Sequence, residues 1–458
     1  MVYGAQLALG VSMNLFFRCA ICTTFAMAVI AIDVAPVFAQ SPLMLDQAVR
    51  IAQENDPWLD GSRLRQEATE LESVAAGTLP DPTVSIGFAN VPIDSFDFGQ
   101  EPMTQLVVGV GQTFPRGETL SLRRQQLLES SAQQPLMRLD RQAKVAVTVS
   151  QLWLESYRYS ETIRLIEQDR DLFDYLADVA ESAYSNALAR TSQQDVIRAQ
   201  VELTRLDDRL ASLHQQREVA MEKLAEWLPR SDSESLQIGT EFPDLKLSHP
   251  MRINALNESE ITRALLGHPK LHILDQTIQI NSTGVALAKQ KYKPQWGVNA
   301  SYGYRDDDPA GSERADFFSI GISFDVPLFT ENRQDKELQS AIALQEATKT
   351  DKVLTLRGMR ANLASLISAL ERLDQRNALY EERLLTEVHD QAEASLNAYT
   401  NDNGDFAEVM RARIAELNTN IDFLNIRIDR LKTIAEINYF FASTESYTQG
   451  DSAHIGIR

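Results

Sequence analysis

Trp296-Gly297-Val298-Asn299-Ala300-Ser301-Tyr302-Gly303-Tyr304 and Phe318-Ser319-Ile320-Gly321-Ile322-Ser323-Phe324-Asp325-Val326 decide how this chain is read. In the first run Trp296, Val298, Ala300, Tyr302 and Tyr304 share one face, leaving Gly297, Asn299, Ser301 and Gly303 on the other. In the second run Phe318, Ile320, Ile322, Phe324 and Val326 alternate with Ser319, Gly321, Ser323 and Asp325. A period of two marks strands, and each run reaches the roughly 9–11 residues that a membrane-crossing strand needs. One face is apolar with aromatics near the run ends, as in interfacial girdles, and the other is small and polar, as a water-filled lumen requires. Trp296, Val298, Tyr302, Phe318, Ile320, Ile322 and Phe324 are therefore expected to face lipid.

Outward from these runs, a fainter pair repeats the pattern: Val84, Ile86 and Phe88, then Leu106, Val108 and Val110. The segments 94–101 and 305–314 between paired strands are polar and rich in aspartate, glycine and proline, which suits external loops. Four strands are too few to close around a lumen, so a barrel implies several chains, for example three supplying twelve strands.

The rest of the chain reads as helix. No glycine occurs between Gly117 and Gly239, and no proline between Pro135 and Pro229 or after Pro327. Helix interiors exclude both residue types. Val196, Ala199, Leu203, Leu206, Leu210 and Leu213 keep a 3,4 spacing, as do Met410, Ile414, Leu417, Ile421, Leu424, Ile428 and Leu431. That rhythm marks a coiled-coil seam. A continuous helix from about Leu120 to Asn186 is expected to extend roughly 100 Å. Equally long antiparallel partners after each turn make rod-like hairpins. Further helices are expected at about 43–78 and 257–290.

A tandem repeat organises these elements. Pro57 and Pro269, Pro82 and Pro294, and Pro115 and Pro327 are each 212 residues apart. Val108 to Pro115 matches Ile320 to Pro327, and Asp195-Val196-Ile197-Arg198-Ala199 matches Glu408-Val409-Met410-Arg411-Ala412. Expected boundaries are an N-terminal export signal at 1–39, a first repeat at 40–243 and a second at 244–458. The signal reading rests on Arg18, the apolar run from Cys19 to Ile32, and Val37-Phe38-Ala39 before Gln40. Both cysteines, Cys19 and Cys22, fall within it, so the processed chain has neither disulfides nor thiolate metal sites.

The formal charge is −20, with 44 Lys+Arg against 64 Asp+Glu. Nucleic acid and anionic membrane surfaces need a basic face and are excluded as partners. His268 and His272 stand i,i+4, but no carboxylate or cysteine completes a metal set, and both read as histidines on a helix surface. The Cys-x-x-Cys spacing of Cys19 and Cys22 falls within the export signal; beyond it no such motif, Ser-His-Asp arrangement or phosphate loop appears, so neither enzyme nor cofactor is expected.

Strand pairs, helical hairpins, an export signal and tandem duplication together resemble the TolC family of outer-membrane efflux channels. Leu79-Pro80-Asp81-Pro82, Asn90-Val91-Pro92, Met103-Thr104 and Gln112-Thr113-Phe114-Pro115 resemble its heavy-metal branch, the cobalt–zinc–cadmium and copper–silver channel subunits. The resemblance implies a mainly α fold with a membrane β-barrel portion, in a homotrimer with a shared twelve-stranded barrel in outer-membrane lipid. It also implies a helical tunnel across the periplasm, meeting a periplasmic adaptor and a proton-driven inner-membrane pump. Export of heavy-metal cations is the expected role. A channel for drugs or secreted proteins is the alternative within transport, and a soluble periplasmic coiled-coil scaffold the alternative outside it.

By the same resemblance, the turn Asn401-Asp402-Asn403-Gly404-Asp405 and its flanks form the pore gate at the periplasmic tip. Tyr399, Asp402, Asp405 and Glu408 are its candidate residues, and Arg411 stands where a second carboxylate is common. The turn Ala187-Leu188-Ala189-Arg190-Thr191 corresponds to an adaptor-contact tip, with Leu188 as the apolar contact and Arg190 beside it.

Overall fold

The computed structural model describes residues 42–185, 193–229, 237–248, 258–401 and 404–442. The export signal, the adaptor-contact residues Leu188 and Arg190, and Asp402 of the gate lie outside them. The first half of the chain contains α1 (Leu45–Glu54), α2 (Pro57–Ala76), β1 (Thr83–Ala89), β2 (Gln105–Phe114), α3 (Thr119–Ser131), α4 (Gln133–Ser185) and α5 (Gln193–Ala225). The second contains α6 (Glu258–Leu266), α7 (Pro269–Gln290), β3 (Trp296–Tyr304), β4 (Phe317–Phe324), α8 (Gln334–Leu379), α9 (Leu385–Thr400) and α10 (Phe406–Phe440). A single π-helical turn, Tyr380–Leu384, joins α8 to α9.

Three expected helices are broken, each at a named residue. The helix at 43–78 divides at Asp56, whose carboxylate accepts the Trp58 N–H at 3.0 Å to start α2 with Pro57 in first position. The helix at 257–290 divides likewise at His268, whose Nδ1 accepts the Lys270 N–H at 3.1 Å, with Pro269 next. Proline is tolerated only in a first turn because it has no N–H to give. The long helix from Leu120 divides at Ala132, where Pro135 has no N–H for the Ser131 carbonyl.

Nor are the hairpin partners equal in length. Helix α4 has 53 residues and spans about 80 Å, while α5 has 33. Helix α8 alone has 46 and α10 has 35. The short partners stop where Trp227, Leu228, Tyr439 and Phe441 pack into the core around α1 and α4. The long ones run on toward the strands.

Two clusters hold the helices together. The larger joins Ala48 and Ala52 of α1, Val149, Trp153 and Leu154 of α4, Leu363 of α8 and Ile428 and Ile437 of α10. The second joins Ile166 and Phe173 of α4, Ala199 and Leu206 of α5, and Phe406, Met410 and Leu417 of α10. Every member of the expected seams is buried or half-buried, so the heptads supply the interface.

The strands form one antiparallel sheet in the order β1-β2-β3-β4. Each strand is joined to a helix: β1 follows α2, β2 leads to α3, β3 follows α7 and β4 leads to α8. These helices pack in the strands' own order, α2 on α3, α3 on α7 and α7 on α8. The sheet thus continues as a four-helix wall.

Candidate functional site

Register places the apolar residues in rows across the sheet. Phe88, Leu106 and Tyr304 form one row; Ile86, Val108, Tyr302 and Phe318 the next; Val84, Val110, Ala300 and Ile320 a third. Gln112, Val298 and Ile322 follow, then Phe114, Trp296 and Phe324 nearest the helices. Aromatic residues therefore occupy both ends of the apolar band. Trp296 and Phe324 touch, with ring centroids 4.9 Å apart. Among the described residues no other element covers this face: Ile86 is 72% and Ile320 71% exposed. All seven residues expected to face lipid stand on it.

On the opposite face the rows read Ser85-Gly109-Ser301-Ser319 and Thr83-Gly111-Asn299-Gly321. Glycine here makes room for its neighbour. A Cβ on Gly321 would lie 2.7 Å from the Asn299 amide oxygen. The outer edges of β1 and β4 carry no partner strand among the described residues.

Far from the sheet, the α9–α10 turn holds the candidate gate. Gly404 makes it tight, since a Cβ there would fall 2.6 Å from the Tyr399 backbone nitrogen. Asp405 begins α10 by accepting the Ala407 N–H at 3.2 Å. Tyr399 packs edge-on against the buried Phe406 ring, 5.7 Å between centroids. Glu408 is ion-paired with Arg411 at 2.8 Å on the same helix face, so its charge is answered locally. Tyr399, Asp405 and Glu408 are thus brought together.

A charged cluster behind this turn was not anticipated from the sequence. Arg413 is buried, with Glu393 of α9 at 2.5 Å and Glu416 at 2.9 Å, and Glu416 also meets the His389 ring nitrogen at 2.7 Å. The Glu416 carboxylate raises the His389 pKa, while burial and then Glu416 raise that of Asp169 on α4. Residues one turn apart on α9 and on α10 carry the signal, but only packing shows which charges meet.

His268 corrects the reading of a surface histidine. It is fully buried, capping α7 through Nδ1 while Nε2–H donates to the Tyr439 carbonyl at 2.9 Å. Burial lowers its pKa. Asp56, 212 residues earlier, takes the same capping place and is held by Arg141 at 2.7 Å. Among the described residues no three His, Cys, Asp or Glu side chains gather as a metal site, and no helix is long and apolar enough to cross a membrane.

No family model and no curated protein matches the chain. Solved structures do. The CmeC outer membrane channel of Campylobacter jejuni superposes with a TM-score of 0.72 at 11% identity, over 90% of each chain. The outer membrane protein VceC of Vibrio cholerae gives 0.68 at 14% identity, over 87% of this chain and 96% of its own. CusC, a protein described by its transmembrane channel formation, gives 0.67 at 11%, over 87% and 92%. The bare-faced sheet and its continuation as helices are therefore the fold of outer-membrane channel proteins.

Proposed function

We propose that the chain is the outer-membrane channel subunit of a tripartite efflux system and a member of the TolC family. The observation that carries this reading is the sheet itself. Among the described residues it has one uncovered apolar face, one small polar face and two free edges. Lipid accommodates the apolar face, water the polar one, and a closed ring pairs the edges that lipid cannot satisfy. Three copies supply twelve strands and twelve wall helices. Leu64, Leu71 and Val74 on α2, and Val353 and Leu354 on α8, are exposed on the two outermost wall helices, which suits a neighbour on each side. The recurring order of elements in the two halves fits a duplication with repeats at 40–243 and 244–458.

On this reading the helices cross the periplasm. The α9–α10 turn, with Tyr399, Asp402, Asp405 and Glu408, narrows the tip, and Leu188 and Arg190 meet a periplasmic adaptor coupled to an inner-membrane pump. The chain is a conduit and performs no chemistry. The likenesses to CmeC, VceC and CusC are of similar size, so they do not single out the heavy-metal branch or its cargo.

Membrane fractionation, with gel analysis of unheated detergent extracts, tests the proposal. Recovery in the outer membrane as a detergent-resistant trimer is the expected result. A monomer in the aqueous periplasmic fraction overturns the channel and favours a coiled-coil scaffold.

A further inference from the structure

Where sheet passes into helix, the wall holds a pocket of about 930 Å³ bordered by α3, α7 and α8. Its lining contains five cations, Arg116, Arg123, Lys291, Arg333 and Lys336, and one carboxylate, Glu337. In a chain of net charge −20 this is a local reversal. Two of the cations are answered: Arg116 pairs with Asp325, and Lys291 with Glu337 at 2.9 Å. Among the described residues no carboxylate pairs with Arg123, Arg333 or Lys336. Asp335, the other acid at this end of α8, takes the Tyr292 hydroxyl at 2.6 Å. Helices α3 and α8 both begin beside the pocket, at Thr119 and Gln334, and their N-terminal dipoles add positive potential.

Strand parity fixes which side of the wall the pocket occupies. Pro115 lies two residues beyond Thr113 and Gln295 two before Gly297, so both continue the small polar face, and both line the pocket. Asp325 continues the same face from Ser323 and receives the Gln295 N–H at 2.6 Å. The pocket therefore opens toward the side that the channel reading assigns to the lumen.

Resting on that reading, we propose that this pocket is a positively charged collar in the tunnel wall which receives the carboxylate or phosphate group of a passing solute. Three-fold repetition sets fifteen cations around one level of the tunnel, nine of them without a carboxylate partner. Charged rings of this kind bias conduction toward the opposite charge. The exported solutes are accordingly anionic, or carry an anionic group, rather than bare cations.

Reversal potentials of the trimer in planar bilayers, under a potassium chloride gradient, test this. The R123Q/R333Q/K336Q variant is expected to lower the chloride-to-potassium permeability ratio by about threefold or more. In the native protein, inorganic phosphate on the helix side is expected to reduce chloride current saturably, whether or not the variant assembles. Both results should hold in bilayers of purely zwitterionic lipid; an effect that requires anionic lipid overturns the proposal in favour of a headgroup site. Conductance with unaltered selectivity and no phosphate effect overturns the collar alone. Absence of any conductance in the native protein overturns the channel and the collar together.

Discussion

The sheet and the helical core spend apolar side chains in opposite directions. In the core around Trp153, apolar residues point inward, fully buried, and charged residues cover the outside. In the sheet the apolar residues stand on an uncovered face, and the rows on the opposite face are serine, glycine, threonine and asparagine. One chain follows both rules because each region minimises exposed apolar area against a different solvent, water for the helices and hydrocarbon for the proposed barrel.

The comparison is sharpest where a single side chain can break it. Trp153 is fully buried, stacks on Tyr157 with ring centroids 5.5 Å apart and donates from Nε1 to the Leu43 carbonyl at 3.0 Å. Trp153→Ala should cost about 3–5 kcal/mol, read as an earlier loss of helical circular dichroism in denaturant. In the sheet the sign of polarity is inverted. Ile320→Arg should cost about 2–4 kcal/mol of folding in lipid vesicles, whereas Ser319→Ala, one residue away on the other face, should be nearly neutral. Equal effects at the two positions would refute a lipid-facing Ile320. At the α9–α10 turn, Asp405→Ala removes the α10 cap and should cost about 1 kcal/mol, seen as faster proteolytic nicking near the turn.

The smallest effects concern two histidines with opposite pH signs. His268 is neutral in the fold and its pKa is lowered by burial, so the unfolded chain takes up a proton first. Stability should fall as pH drops below about 6.5, and His268→Asn, which keeps a capping side chain, should flatten that slope. His389 has its pKa raised by Glu416, so its contribution is complete below about 6.5 and disappears as pH rises through the higher folded value. His389→Gln should therefore lower the melting temperature slightly at pH 6 and not at pH 8.5. A common sign for both variants would contradict the two environments.

Much of this was legible beforehand. The run from Trp296 to Tyr304 is a strand over its full length, because a two-residue period admits no other regular structure. The seam from Met410 to Leu431 is equally direct. Helix ends were less so. Asp56-Pro57 and His268-Pro269 carry a cap-then-proline signature, yet the apolar rhythm continues across both and masked the breaks. The cations at 116, 123, 291, 333 and 336 are scattered over more than two hundred residues and have no spacing that would betray a shared pocket.

Periodicity, then, determined the elements and the faces they present, since alternation and heptads are local consequences of backbone geometry. Tertiary structure alone decided which faces meet. It buried His268 against Tyr439, paired Arg413 with Glu393, and gathered three helices' cations under the sheet. Such meetings depend on how far each helix runs before packing turns the chain, a length that no single segment encodes.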